Sequence, residues 1–162
     1  MMGHRIYVRR DKNGLGSLEA WRIIKKAMAG ALETEGVDED CEINVLLTDD
    51  EGIWSINREF RGVDRPTDVL SFPMNELTEG RFDADMCERD PESGLILLGD
   101  MALSLEHARA QGEEYGHGEE HEIAYLAVHS TLHLLGYDHI DEGERKKLMR
   151  AREKLIMERL GY

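Results

Sequence analysis

The sequence predicts an α+β domain: one small mixed sheet of about four strands packed with about five helices, with residues 1–162 forming a single unit. Three observations predict it. A chain of 162 residues suits one domain with one sizeable core. Its apolar spacing switches repeatedly between strand and helix periods. No repeat, low-complexity tract or Pro/Gly/Ser-rich linker divides it.

Taken in order, residues 4–10 read as a short strand with Ile6 and Val8 on one face. Ser17 is placed to cap a helix running to about Thr34, whose stripe is Leu18, Trp21, Ile24, Met28, Ala31 and Leu32; Gly36 stops it. Residues 41–47 alternate polar and apolar as a half-buried strand does. Thr48 and Glu51 form a capping-box pair for a second helix, carrying Ile53, Ile56 and Phe60 and ending near Gly62. After a turn at Asp64–Pro66 comes a strand over 68–72, then a polar surface excursion over 74–93. Residues 94–103 are apolar enough for a buried strand, and Ser104 opens a third helix. A long helix covers about Glu119 to Leu135. The last helix opens on Asp141 and Glu144 in capping-box spacing, with Leu148, Ala151, Leu155 and Ile156 as its stripe.

Composition narrows the class. No apolar run approaches the roughly 20 residues of a membrane span. The start, MMGHRIYVRR, lacks the apolar middle of a secretory signal, so a cytoplasmic location is expected. Cys41 and Cys87 are the two cysteines, too few for a disulfide framework and not in a CxxC pair. The formal net charge of -14 runs against a uniformly basic nucleic-acid binder. The acids are segregated, however: residues 75–93 hold seven against two arginines, and 113–122 hold five more. Arg5, Arg9, Arg10 and Lys12 gather at the start, and Arg58, Arg61 and Arg65 before a strand.

The chemistry concentrates in residues 129–139, HSTLHLLGYDH. His129 and His133, four apart, project from one face of a helix. Gly136 ends that helix in a left-handed conformation, and the returning chain carries His139 toward the same point. Three imidazoles with no fourth protein ligand leave an open tetrahedral position, the arrangement of a catalytic rather than a structural zinc. Imidazole also suits other divalent transition metals, so one zinc ion is the first expectation among several. Asp138 is placed to orient a ligand from outside the coordination sphere. Zinc peptidases with HExxH carry a general-base glutamate where this chain has Ser130, so the spacing favours metal binding over proteolysis. His4, His107, His117 and His121 read as surface histidines. Arg61, just before Gly62, reads first as a cation completing a helix dipole.

HSTLHLLGYDH resembles the HGxLHLxGYDH signature of the YbeY family, metal-dependent endoribonucleases of ribosomal RNA maturation. NREFRGVDRPTDVLSFP is similar to that family's arginine-containing segment, and LLGDMALS to its LGDI-type strand. The departure is Ser130, where the family has glycine. The resemblance implies single-strand-specific, zinc-dependent cleavage of RNA, 3′-end maturation of 16S ribosomal RNA, ribosome quality control and an α+β fold. It also implies His129, His133 and His139 as metal ligands, Arg61 as a functional arginine on phosphate, and single-stranded ribosomal RNA and the small ribosomal subunit as partners. Two other readings stand beside it: a metallohydrolase of another substrate such as a peptide, and a ribosome-assembly binding factor with a structural metal.

Overall fold

The computed structural model describes residues 3–138 and 143–162. Four strands form one sheet in the order β1-β2-β4-β3: β1 is Arg5–Arg10, β2 Cys41–Thr48, β3 Val69–Pro73 and β4 Ile96–Ser104. β1, β2 and β4 run parallel, whereas β3 lies antiparallel to β4 at the edge, which makes the sheet mixed. Among the described residues five helices accompany it: α1 Leu18–Thr34, α2 Asp50–Arg61, α3 Leu105–Glu114, α4 Gly118–Leu134 and α5 Glu144–Leu160.

The sheet is covered unequally. On one face Ile6, Val8, Ile43, Val45, Leu98 and Leu103 meet the apolar sides of α1 and α4 in the main core. On the other, among the described residues, α2 alone supplies cover, packing Ile53 and Ile56 against Leu46, Leu70 and Ala102. The rest of that second face stays open. α4 is the central helix: ten of its residues are buried, and α1, α3, α5 and β3 all pack against it.

Local chemistry explains most boundaries. The Ser17 side chain accepts from the Ala20 amide, and the Ser104 side chain from that of His107, as expected of N-caps. The α2 cap is displaced by one residue from expectation. Asp49 is the cap, accepting from the Gly52 amide, because Thr48 is fully buried and its hydroxyl donates to Asp11. Leu18, placed in the α1 stripe by spacing, is exposed; Ala20, Ile23 and Ala27 fill that face instead. In α5 the buried side carries Met149, Glu153, Ile156 and Met157, so Leu148, Ala151 and Leu155 turn outward. Its N-cap is Gly143; Asp141 lies outside the described residues.

Two glycines are required by close approach. At Gly99, φ is +141 and a Cβ would stand 2.3 Å from the Phe72 carbonyl oxygen. The β2–β4 register skips one residue just before it, so the pair accommodates a bulge there. At Gly136, φ is +98 and a Cβ would meet the Leu77 carbonyl oxygen at 2.2 Å. The 74–93 segment is therefore more than a surface excursion. Leu77, Phe82, Ala84 and Cys87 pack against the core, and its backbone presses on the turn after α4.

Candidate functional site

Between the edge strand β3 and the C-terminal turn of α4 lies a cleft of about 710 Å³. Its lining includes Arg61, Ser71, Asn75, His129, His133 and Arg145. Each reaches it for a traceable reason. His129 and His133 stand one turn apart on α4. Arg61 is the last residue of α2, before the left-handed cap Gly62. Its Nη1 donates to Asn57 Oδ1 at 3.3 Å, and buried Asn57 in turn donates to the Arg65 carbonyl at 2.9 Å. The arginine thus leaves the helix anchored at one end and lines the same cleft as the histidines.

Neighbours fix the orientation of the two imidazoles. His129 Nδ1 lies 2.5 Å from Glu153 Oε2, and His133 Nδ1 lies 2.9 Å from the Tyr137 carbonyl oxygen. A carbonyl and a carboxylate only accept, so both neutral rings carry their proton on Nδ1. That places the lone pair of each ring on Nε2, and the two Nε2 atoms are 3.1 Å apart. Two nitrogens each about 2.0–2.1 Å from one tetrahedral zinc lie roughly 3.3 Å apart, so this pair fits as donors to a single ion.

The supports are themselves supported. Glu153 is 5% exposed and also accepts from the Tyr125 hydroxyl at 3.0 Å. Burial, with the nearby Glu153 charge second, pushes the Tyr125 phenol well above its ordinary value, so it stays a donor. The Tyr137 hydroxyl donates to Glu35 at the end of α1, and Arg152 reaches Glu35 at 2.7 Å. The turn that presents the Tyr137 carbonyl to His133 is therefore tied to both α1 and α5.

The structure brings together three of the four residues that the sequence singled out: Arg61, His129 and His133 line one cleft. His139 lies outside the described residues, and Asp138 lines the same cleft. Ser130 is fully buried, and its hydroxyl pairs with that of Ser71 at 2.7 Å, joining α4 to β3. Sequence reasoning missed Glu153. Its signal was an acid four residues after Met149, inside what proves to be the buried stripe of α5. Of the other histidines His117 is exposed, as expected, whereas His4, His107 and His121 are half-buried. His107 Nδ1 lies 2.5 Å from Asp50 Oδ1, His4 Nδ1 accepts from the Cys41 amide, and His117 Nε2 lies 2.6 Å from buried Glu122.

The chain resembles known proteins over nearly its whole length. The family model described as Endoribonuclease YbeY matches residues 6–161. A protein of that description from Caldanaerobacter subterraneus is 47% identical over 153 residues, covering 94% of each chain. Another, from Desulfitobacterium hafniense, is 43% identical over 93% of this chain and 90% of its own. Among solved structures, the solution structure of TM1509 from Thermotoga maritima superposes with a TM-score of 0.61 at 26% identity, covering 96% of this chain and 88% of that one.

Proposed function

The chain belongs to the YbeY endoribonuclease family, and from that premise we propose that it is a zinc-dependent endoribonuclease cutting single-stranded ribosomal RNA. The observation that carries the reading is the pair of Nε2 atoms converging in a cleft that Arg61 also lines. His129, His133 and His139 would hold the ion. A zinc held there would polarise a phosphoryl oxygen as a Lewis acid.

The chain's own groups do the rest. Glu153 and the Tyr137 carbonyl hold the two imidazoles in the Nδ1–H tautomer, so neither ring must reorganise to donate electrons. Arg61, splinted by Asn57, offers its remaining guanidinium N–H groups to non-bridging phosphate oxygens and stabilises the charge that grows on them during cleavage. Cleft-lining Arg145 pairs with Glu79 at 3.2 Å, which holds its guanidinium at the opening. Against peptide hydrolysis stands Ser130, whose hydroxyl is turned into the core toward Ser71 where a zinc peptidase has its glutamate.

Resemblance to the family supports, as the setting of this proposal, 3′-end maturation of 16S ribosomal RNA and ribosome quality control, in the cytoplasm, on the small ribosomal subunit. Among the described residues no helix is long and apolar enough to cross a membrane. The test is cleavage of a labelled single-stranded RNA spanning the small-subunit rRNA 3′ end, with and without zinc, beside His133→Ala. Zinc-dependent cutting that the variant loses is the expected result. Folded, zinc-loaded protein that cuts neither this RNA nor the assembled subunit would sink the proposal in favour of a binding factor.

A further inference from the structure

The sheet face that α2 leaves open is not bland. Across it runs a row of four residues paired strand to strand: Tyr7 opposite Asn44, Asn44 opposite Asp100, Asp100 opposite Phe72. Tyr7 is 58% exposed, and Arg9 follows it on the same face of β1. Ile56 and Phe60 of α2 wall the row, with Phe60 67% exposed and its ring edge-on to Phe72 at 6.0 Å. Together these residues bound a groove of about 680 Å³.

A purely apolar groove would suit a protein partner. This one does not have that composition. Aromatic rings stand at both ends of the row, and two side chains that hydrogen-bond base edges stand between them. Arg9 supplies a cation at the rim, on a chain of net charge -14 whose acids are concentrated in 75–93 and 113–122. Neighbouring strands lie about 4.8 Å apart, so the row spans roughly 14 Å from Tyr7 to Phe72. RNA-binding four-stranded sheets stack roughly two or three bases on aromatics over such a surface. The groove also adjoins the cleft: Ser71 and Pro73, either side of Phe72, line the cleft, and Arg61 follows Phe60.

We propose that the open sheet face is a stacking platform for single-stranded RNA, with bases on Tyr7 and Phe72, Asn44 and Asp100 meeting base edges, and Arg9 on a phosphate. Resting on the nuclease reading, it assigns this face to the substrate strand flanking the cut: the strand leaves the cleft around the edge strand β3 and lies across the sheet. Asp100, an acceptor only, favours bases that present an exocyclic amino group.

The experiment measures binding of the full-length protein to two unstructured RNAs, of roughly 16 and roughly 4 nucleotides, bracketing the usual single-strand site sizes. Tyr7→Ala and Arg9→Ala are compared with wild type by fluorescence anisotropy across a salt series, with circular dichroism as the folding control. The long RNA binds better in wild type, and each variant cuts that advantage about fivefold to tenfold, Tyr7→Ala through one lost stacked base and Arg9→Ala through one lost phosphate contact. Arg9→Ala also lowers the salt slope by about one unit. Folded variants that keep the full advantage overturn the platform while leaving the nuclease reading intact. A wild type that binds the long RNA through this face but cuts none keeps the platform and overturns the nuclease. Variants that lose a ribosomal protein and no RNA overturn the platform.

Discussion

α4 carries two histidine pairs at identical spacing, His117–His121 at its start and His129–His133 at its end, and their geometry is opposite. At the start the rings stack, centroids 4.0 Å apart and 27° from parallel. There His117 gives its Nε2 to buried Glu122, and Tyr162 closes on His121 edge-on. At the end the rings meet edge to face at 84°, each Nδ1 is hydrogen-bonded, and the two Nε2 atoms converge. Each pair has a buried glutamate. What separates them is which ring nitrogen that glutamate engages. Spacing alone puts two imidazoles on one helical face; the neighbours decide whether two lone pairs can share an ion.

The comparison breaks most visibly if the pairs behave alike. His133→Ala is expected to lose bound zinc and to lower RNA cleavage by more than about a hundredfold, above the range for losing an outer support. His121→Ala should keep its full zinc content by elemental analysis; equal loss in both would remove the distinction. The next effect isolates the glutamates. Glu153→Gln should weaken zinc affinity about 10- to 100-fold in a chelator competition, whereas Glu122→Gln leaves it unchanged.

Smaller effects concern support and pH. Ser130→Gly, which restores the family's glycine, removes a hydroxyl pair and adds glycine to a helix interior, at a combined cost of about 2 kcal/mol. For a chain of this size that lowers Tm by roughly 4–8 °C, read by thermal melting, with zinc affinity intact. At the start of α4, burial holds the His121 imidazole below its ordinary 6.5, and the His117 charge acts the same way. The folded state therefore resists protonating His121. That contribution to stability is complete above a pH of about 6.5 and is lost as pH falls below it. Replacing His121 with Asn should flatten the decline in Tm between about pH 7 and pH 5; an unchanged slope would assign the decline to other groups.

The pattern of α1, α2 and α3 was legible because their caps and glycine stops are local chemistry: Ser17, Gly62 and Ser104 act within three or four residues of themselves. The histidine pair and Arg61 were legible by spacing and by resemblance. Glu153 was not, because nothing along α5 distinguishes a carboxylate facing His129 across space from one facing water. The α5 stripe was misjudged for the same reason: a buried acid breaks the apolar pattern by which the face is recognised. Nor did the sequence reveal that β3 pairs antiparallel, or that the sheet's second face is half uncovered, since both depend on where distant segments come to rest.

The contact between Gly136 and the Leu77 carbonyl governs how this protein can diversify. The acidic segment is anchored near one end by that contact and by the Met74 amide on the Leu98 carbonyl, and near the other by the Arg89–Ile96 bridge. A shift at Leu77 would be transmitted to the turn behind His133, while side-chain changes at the exposed Asp85, Met86 and Glu88 would meet neither anchor. Lineages can therefore recharge the exposed side chains of the segment without disturbing the histidines, and new recognition can be acquired there by drift.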